Sequence, residues 1–380
     1  MENFIAYNPT KLHFGSGVVK NLGKVAEEYG RRILLVYGKG SVLRNGSYDQ
    51  TRKQLEKIDA EITDYNGIKP NPVIDDVDAA ASLGISKNID LIVAIGGGSV
   101  IDSAKIISIC IPEKCKGWEV MKNRINIKSS IPVIAVLTLA ATGTEMNSVS
   151  VLQNNQTREK IGYSTNFMFP RHSFLDPTYT KTVPVNYTAY GIVDLIAHAL
   201  ENFFGKGDAS LSDRFVEAII KEAFDYGPKL LQDLTNYDLR ARIMWAATNA
   251  LNGLTGYGKS NGDWGVHAIG HVISFLYDTA HGATLSIAYP AWLKYMKSKI
   301  PERIMKLGEH LYNDTDVDNV IMRLEEFFSS LGSPVRLQEI GLDLKNKNEI
   351  LELMNYNKAS GRHYIIDNDA RLKIINYMFK

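Results

Sequence analysis

Cysteine is nearly absent: Cys110 and Cys115 are the only two in 380 residues. That excludes a four-thiolate metal site and argues against a disulfide-stapled secreted domain. An excess of one charge is missing too. Lys and Arg number 43 against 42 Asp and Glu, a formal net charge of +1. Nucleic acid and anionic membrane are therefore not expected partners, since both select a basic balance and a basic patch. Long hydrophobic runs are lacking as well. The most apolar stretch, Ile131 to Ala141, contains Pro132 and falls well short of the ~18 residues that cross a bilayer. The opening Met1-Glu2-Asn3-Phe4 has no basic region leading into an apolar core, so no signal peptide is expected and a reducing, cytoplasmic setting is. What remains is 45% hydrophobic and 22% charged, a globular composition rather than a disordered one. The length suits about two domains.

The first half alternates helical and strand patterns. Val18, Val19, Leu22, Val25, Ala26 and Tyr29 recur at helical spacing before Gly30, a stop signal. Ile33 to Tyr37 is a short apolar run ending at Gly38, and a helical stretch follows from about Tyr48 to Ile58. Asp75, Asp76 and Asp78 open a third helical window, where acids suit the positive end of the dipole. Leu91 to Ile95 and Pro132 to Leu137 are further apolar runs. Continuous apolar strands separated by helices predict a parallel sheet with helices on both faces. Past Asp176-Pro177 and Val183-Pro184 the pattern becomes helical almost throughout. The expected organisation is an α/β domain over residues 1–180 and an all-helical domain over 181–380, with the cleft between them as the default ligand site.

Two glycine turns follow strands. Gly96-Gly97-Gly98-Ser99 joins the Leu91 run to a helical window from Val100. Glycines let a backbone approach a ligand closely, and free N–H groups at a helix start favour an anion such as a pyrophosphate. A tight turn without a ligand would read the same way. Gly38-Lys39-Gly40-Ser41 is the second such turn. Neither contains G-x-G-x-x-G, but both are expected at the carboxyl ends of parallel strands, where open α/β sheets bind ligands.

Six of the eight histidines lie in the helical half. Asp194 and His198 are four apart, on one helix face. Alone, that pair reads better as an exposed Asp/His pair than as a binding site. His267 and His271 repeat the spacing, and His281-Gly282 follows a short turn. A carboxylate with several imidazoles suits Fe(II) or Zn(II). Spacing does not choose among the histidines. For His271 it leaves open a ligand, a proton carrier or a packed core residue. His13, His172, His310 and His363 are scattered and read as structural.

These motifs together resemble the iron-containing, or group III, alcohol dehydrogenase family. The resemblance spans nearly the whole chain. It runs through Pro70-Asn71-Pro72, the Gly96 to Ser99 turn with Asp102 and Lys105, Thr138 to Glu145, Asp176-Pro177, Asp194-x-x-x-His198, and His267 with His271 and His281-Gly282. Within the family the chain is most similar to the NADP(H)-dependent butanol dehydrogenase and aldehyde reductase branch. The resemblance implies a dehydroquinate synthase-like fold, with a dinucleotide-binding domain followed by a helical one, and assembly into homodimers or larger oligomers. It makes Asp194, His198, His267 and His281 metal ligands and places His271 nearby without coordinating, where it is the best-placed titratable group to carry the alcohol's proton. It puts the pyrophosphate on Gly97, Gly98 and Ser99 and the nicotinamide near Thr138 and Thr142. Asp102, Asn71 and Lys160 join the cofactor site, and Gly38, Lys39, Gly40 and Ser41 take the adenosine end. The branch has Tyr-Gly-Gly-Gly-Ser where this chain has Tyr37-Gly38-Lys39-Gly40-Ser41, and Ser-Glu is commoner than Thr144-Glu145.

The implied activity is reversible oxidation of a primary alcohol such as butanol to its aldehyde, with NADP(H) and one Fe(II) or Zn(II). NAD(H) is the second cofactor choice. No carboxylate occupies the Gly38 to Arg44 turn to repel a 2′-phosphate, and Lys39 and Ser41 suit one. A glycerol dehydrogenase-like polyol oxidoreductase is the nearer alternative. A dehydroquinate synthase-like lyase is the more distant one, since it would carry a Glu/His/His site.

Overall fold

The apolar runs become inner strands of a six-stranded parallel sheet in the computed structural model, which describes residues 1–380. The strands are β1 (Lys11–Phe14), β2 (Arg32–Tyr37), β3 (Glu61–Tyr65), β4 (Leu91–Gly96), β5 (Val133–Leu137), β6 (Val149–Asn154), β7 (Glu159–Ser164) and β8 (His172–Leu175). The sheet order is β1-β8-β5-β4-β2-β3, while β6 and β7 form a separate antiparallel pair.

Both faces of the sheet are covered. Leu34, Val36, Ile92, Ala94 and Ala135 enter one core layer with Val77 and Ala80 of Ile74–Ser86 and Ile101 and Ile107 of Gly98–Glu113. Ile33, Leu35, Val93, Ile95 and Val136 enter the other, against Leu22 and Val25 of Leu22–Glu27 and Leu55 of Ser47–Glu56. Successive strand residues point to opposite faces. Here both faces are apolar, which is why the runs are continuous rather than alternating.

Two compact units are distinguished. The α/β unit comprises Tyr7–Val183 and Leu234–Thr248; the helical unit comprises Met1–Ala6, Pro184–Asp233 and Asn249–Lys380. Each therefore takes in a segment from across the expected boundary near residue 180. In the α/β unit, Met244 is buried in the core, the Trp245 ring meets Phe14 edge-on at 5.9 Å, and the Thr248 hydroxyl donates to Glu145 at 2.6 Å. In the helical unit, Glu2 N–H donates to the Gly258 carbonyl at 2.9 Å and Phe4 stacks on Tyr257. The helical pattern of Tyr237–Ala250 reads the same whichever core receives it, and the non-helical Met1–Ala6 has no periodicity at all, so the sequence pattern does not reveal this exchange.

Within the helical unit, Val185–Phe204 packs against Ser210–Gln232 and His281–Met296. Gly265–Tyr277 packs on His281–Met296. No helix is long and apolar enough to cross a membrane.

Candidate metal centre and cofactor loops

Asp194 and His198 lie on Val185–Phe204, which is buried on every side from Gly191 onward. The apolar stripe does face a core, but the opposite side faces protein as well. Asp194 is 2% and His198 5% exposed, so the exposed ion pair is excluded. His267 lies in the first turn of Gly265–Tyr277, with His271 one turn later, and His281 opens His281–Met296. Three helices thus bring four side chains together.

The Asp194 Oδ1 atom is 3.6 Å from His198 Nδ1, 3.9 Å from His267 Nε2 and 3.9 Å from His281 Nε2. Ligand atoms of Asp194, His267 and His281 all lie within 4.8 Å of one another. His198 falls outside that tighter trio, with its ring stacked on His267 at 4.7 Å. These separations are too long for hydrogen bonds. Two donors of a tetrahedral ion at ~2.1 Å stand about 3.4 Å apart, so the spacing suits ligands around one ion.

The chemistry of the donors fits a divalent cation. His198 Nδ1 and His267 Nε2 are buried without a hydrogen-bond partner, a state that costs about 1–3 kcal/mol per group when nothing compensates it. Burial pushes His198 down to about 4 and His267 down to about 3, so both imidazoles are neutral at pH 7, the form a metal requires. His271 is partly exposed, with its ring 5.2 Å from that of His281 and 6.4 Å from that of His267. It faces the same cluster.

Glu201 was not among the expected residues. It is 1% exposed and lies 2.8 Å from His267 Nδ1. Burial pushes its carboxyl up to about 7 against the opposing pull of backbone N–H donors from His267, Trp264 and Val266. The available signal was an acid on the same helix as Asp194, three residues after His198.

In the α/β unit, loops at the carboxyl ends of β2, β4 and β5 converge. The turn Gly96-Gly97-Gly98 links β4 to Gly98–Glu113. A Cβ on Gly98 would stand 2.7 Å from Thr142 Cγ2, so glycine is what lets the loop after β5 lie on this turn. Thr138 N–H donates to the Gly96 carbonyl at 3.0 Å. The Ser99 hydroxyl donates to the Pro70 carbonyl, and Lys160 donates to Asn71 Oδ1 at 2.9 Å. Gly38 faces the Ile68 carbonyl, which an added Cβ would approach to 3.3 Å. Lys39 and Ser41 are exposed. Gly97 caps the helix start, and Gly40 lies against Arg44, whose Nη1 would be 2.8 Å from a Cβ there.

Asp102 is turned inward. Its carboxylate accepts from Thr144 Oγ1 at 2.5 Å and from Val151 N–H at 2.8 Å. Lys105, wholly buried, donates to Thr144, Asn147 and the Val149 carbonyl. This polar network ties β6 and the Thr144 turn to the glycine-turn helix.

The iron-containing alcohol dehydrogenase model matches residues 9–177, and the C-terminal model of the Fe-containing alcohol dehydrogenase family matches residues 188–361. The chain belongs to the iron-containing alcohol dehydrogenase family. Alcohol–aldehyde oxidoreduction with a nicotinamide cofactor is its activity class. The "Probable NADH-dependent butanol dehydrogenase 1" of Bacillus subtilis (strain 168) is 37% identical, with 99% of each chain covered. The "NADPH-dependent aldehyde reductase YqhD" of Escherichia coli (strain K12) is 35% identical, with 90% of each covered. A crystal structure of NADH-dependent butanol dehydrogenase A from Thermotoga maritima superposes with a TM-score of 0.96 at 33% identity, covering 100% of this chain and 99% of that one.

Proposed function

We propose that this alcohol dehydrogenase interconverts primary alcohols of about butanol's size and their aldehydes with NADP(H), as a homodimer or larger homo-oligomer in the cytoplasm. The observation that carries the reading is the cluster of buried Asp194, His198 and His267 with partly buried His281, whose spacing, with neutral His198 and His267, fits Fe(II) or Zn(II). A metal held there supplies Lewis acidity toward an alcohol or aldehyde oxygen, and the nicotinamide supplies or takes up the hydride.

The remaining work belongs to this chain's side chains and loops. Asp194 offsets the charge of a bound cation. His271, near His281 yet partly exposed, takes the alcohol's proton toward solvent and returns it in the reverse direction. Gly97, Gly98 and Ser99 present backbone N–H groups to the pyrophosphate, and Thr138 and Thr142 flank the nicotinamide end. Asn71 and Lys160 line the same loops. Asp102 acts from beneath, by holding the Thr144 turn. The α/β unit, which holds most of residues 1–180, carries the dinucleotide, and the helical unit carries the metal.

The test is a panel of aldehydes and alcohols with NADPH and NADH, with Fe(II) or Zn(II) added, followed by near-ultraviolet absorbance of the reduced cofactor. Turnover of butanal that is lost in His267→Ala supports the reading. Turnover confined to polyols, or unaffected by that variant, overturns it.

A further inference from the structure

Glu201 has no place in the ligand set, and its contacts are specific. Both carboxylate oxygens receive donors from the start of Gly265–Tyr277. Oε1 accepts His267 N–H at 3.0 Å, and Oε2 accepts Trp264 N–H. Trp264 adopts a left-handed φ of 65°, uncommon for a bulky residue, and so turns its N–H toward Oε2. The side chain of His267 adds a third contact, Nδ1 to Oε1 at 2.8 Å.

We infer that Glu201 is a positioning residue for the metal centre, holding His267 as the Nδ1–H tautomer so that its Nε2 lone pair faces Asp194 and His281. The inference rests on the proposed metal site. A carboxylate already accepting backbone N–H groups on both oxygens presents an acceptor to Nδ1, and Nδ1 must then carry the proton. That leaves Nε2 bare. It is buried, without a hydrogen-bond partner, and 3.9 Å from Asp194 Oδ1. A carboxylate behind a ligating histidine fixes its orientation and raises its basicity. Asp194, His198 and Glu201 stand at i, i+4 and i+7, on one face of one helix. A single rigid element thus supplies two ligands and the partner of the third.

Glutamine is a sharp probe because neither of its orientations reproduces this pattern. With its oxygen toward His267, its NH2 group confronts Trp264 N–H, donor against donor. Flipped, the NH2 group donates to His267 Nδ1 and moves the ring proton to Nε2, where it blocks a metal. The full-length protein, stripped of metal and titrated with Zn(II), is expected to lose 10- to 100-fold in affinity on Glu201→Gln. Ring ¹⁵N shifts of His267 should report Nδ1–H in the unmodified protein and a shift toward Nε2–H in the variant. A purely structural role would lower the melting temperature and leave both readouts unmoved. Unchanged zinc affinity in folded Glu201→Gln, or an Nε2–H tautomer in the unmodified protein, overturns the inference. If His267→Ala binds zinc as tightly as the unmodified protein, the metal assignment itself fails. If His267→Ala abolishes binding while Glu201→Gln does not alter it, only the role of Glu201 fails.

Discussion

The backbone of Gly282 lies directly on the backbone of Tyr190: a Cβ at Gly282 would overlap the Tyr190 carbonyl, 2.7 Å from its carbon. This contact lets the start of His281–Met296 approach Val185–Phe204 closely enough for His281 to reach Asp194. Backbone atoms cannot swing aside as a flexible side chain can. Gly282→Ala is therefore expected to push the two helices apart. Overpacking of this kind typically costs about 1–3 kcal/mol. The distinguishing outcome is a combined loss of thermal stability and metal affinity. An alanine variant with unchanged zinc affinity would show that the approach at Gly282 does not set the site.

His267→Ala should separate metal binding from folding. The substitution removes one imidazole and leaves a small void, while the helix keeps its backbone hydrogen bonds. Bound metal, measured by elemental analysis, should fall to a small fraction of the unmodified level. Activity should go with it, and the far-ultraviolet circular dichroism should stay the same. Retained metal at one equivalent would remove His267 from the ligand set.

How much of this was legible beforehand depended on burial. The β2 and β4 runs announce themselves because both faces are covered and Ile33 to Tyr37 and Leu91 to Ile95 carry no charge. The edge strand β3 reads Glu-Ile-Thr-Asp-Tyr, and its charges conceal it. β1, also at an edge, has only four residues. The Asp194 and His198 pair was visible through its spacing, whereas its burial was not. Glu201 was invisible as a partner because its donors come from 63 and 66 residues later in the chain. Hydrophobic periodicity carries no information about such a contact.

A structural prediction concerns Asp213. It is 2% exposed and takes ion pairs from Lys259, Arg303 and Lys306. Arg303 also donates to the Phe203 carbonyl at the end of the Asp194 helix. Although burial opposes ionisation, these hydrogen bonds hold the Asp213 carboxyl below the usual aspartate range. The sign follows from linkage. An acid with a depressed folded pKa contributes stability that is present above its unfolded value of about 3.9 and fades as pH falls through the folded one. Asp213→Asn leaves the buried Lys259 without its counter-charge, a change that typically costs about 3–5 kcal/mol, with the partly exposed Arg303 and Lys306 adding less. The melting temperature should drop at neutral pH, and the gap to the unmodified protein should close as pH falls below about 4. A constant gap across that range would count against the ion-pair hub.

His271→Asn tests the proton path. Asparagine keeps a polar group of similar reach but does not titrate. Turnover should fall, typically 10²- to 10⁴-fold for a lost general acid–base group, and the limb of the pH–rate profile belonging to His271 should disappear. Metal content should not change, since the proposal leaves His271 outside the ligand set. A fall in activity with an unchanged profile shape would reduce His271 to packing.

The proposed NADP(H) preference rests on the turn after β2. NAD-selective sites place a carboxylate on the adenosine ribose hydroxyls, and that charge repels the 2′-phosphate of NADP. None stands in Gly38 to Arg44. The neighbouring strand does bring Asp64, but its carboxylate is committed to Tyr48 at 2.9 Å and Arg52 at 2.8 Å. Lys39 and Ser41 are exposed, and the Arg44 guanidinium lies against Gly40. The turn therefore offers two cations and a hydroxyl to a phosphate dianion. A lysine on a turn is commonly just solvated, yet Arg44 supplies charge from the same turn independently. A hydrogen bond to a charged group contributes about 1.5–3 kcal/mol, or roughly 10- to 150-fold in affinity. The expectation is at least a ~10-fold higher kcat/KM with NADPH than with NADH, equivalent to ~1.4 kcal/mol. Relatives named for either cofactor occur at similar identity, so kinetics must settle the matter. Gly38→Asp should shrink or reverse the preference. Its Cβ would come within 3.3 Å of the Ile68 carbonyl, a tight fit that small loop movements must relieve. Lys39→Ala combined with Arg44→Ala approaches the same question without crowding, and should raise KM for NADPH while leaving that for NADH nearly unchanged. Equal or better kinetics with NADH in the unmodified protein would refute the preference and leave the metal centre untouched.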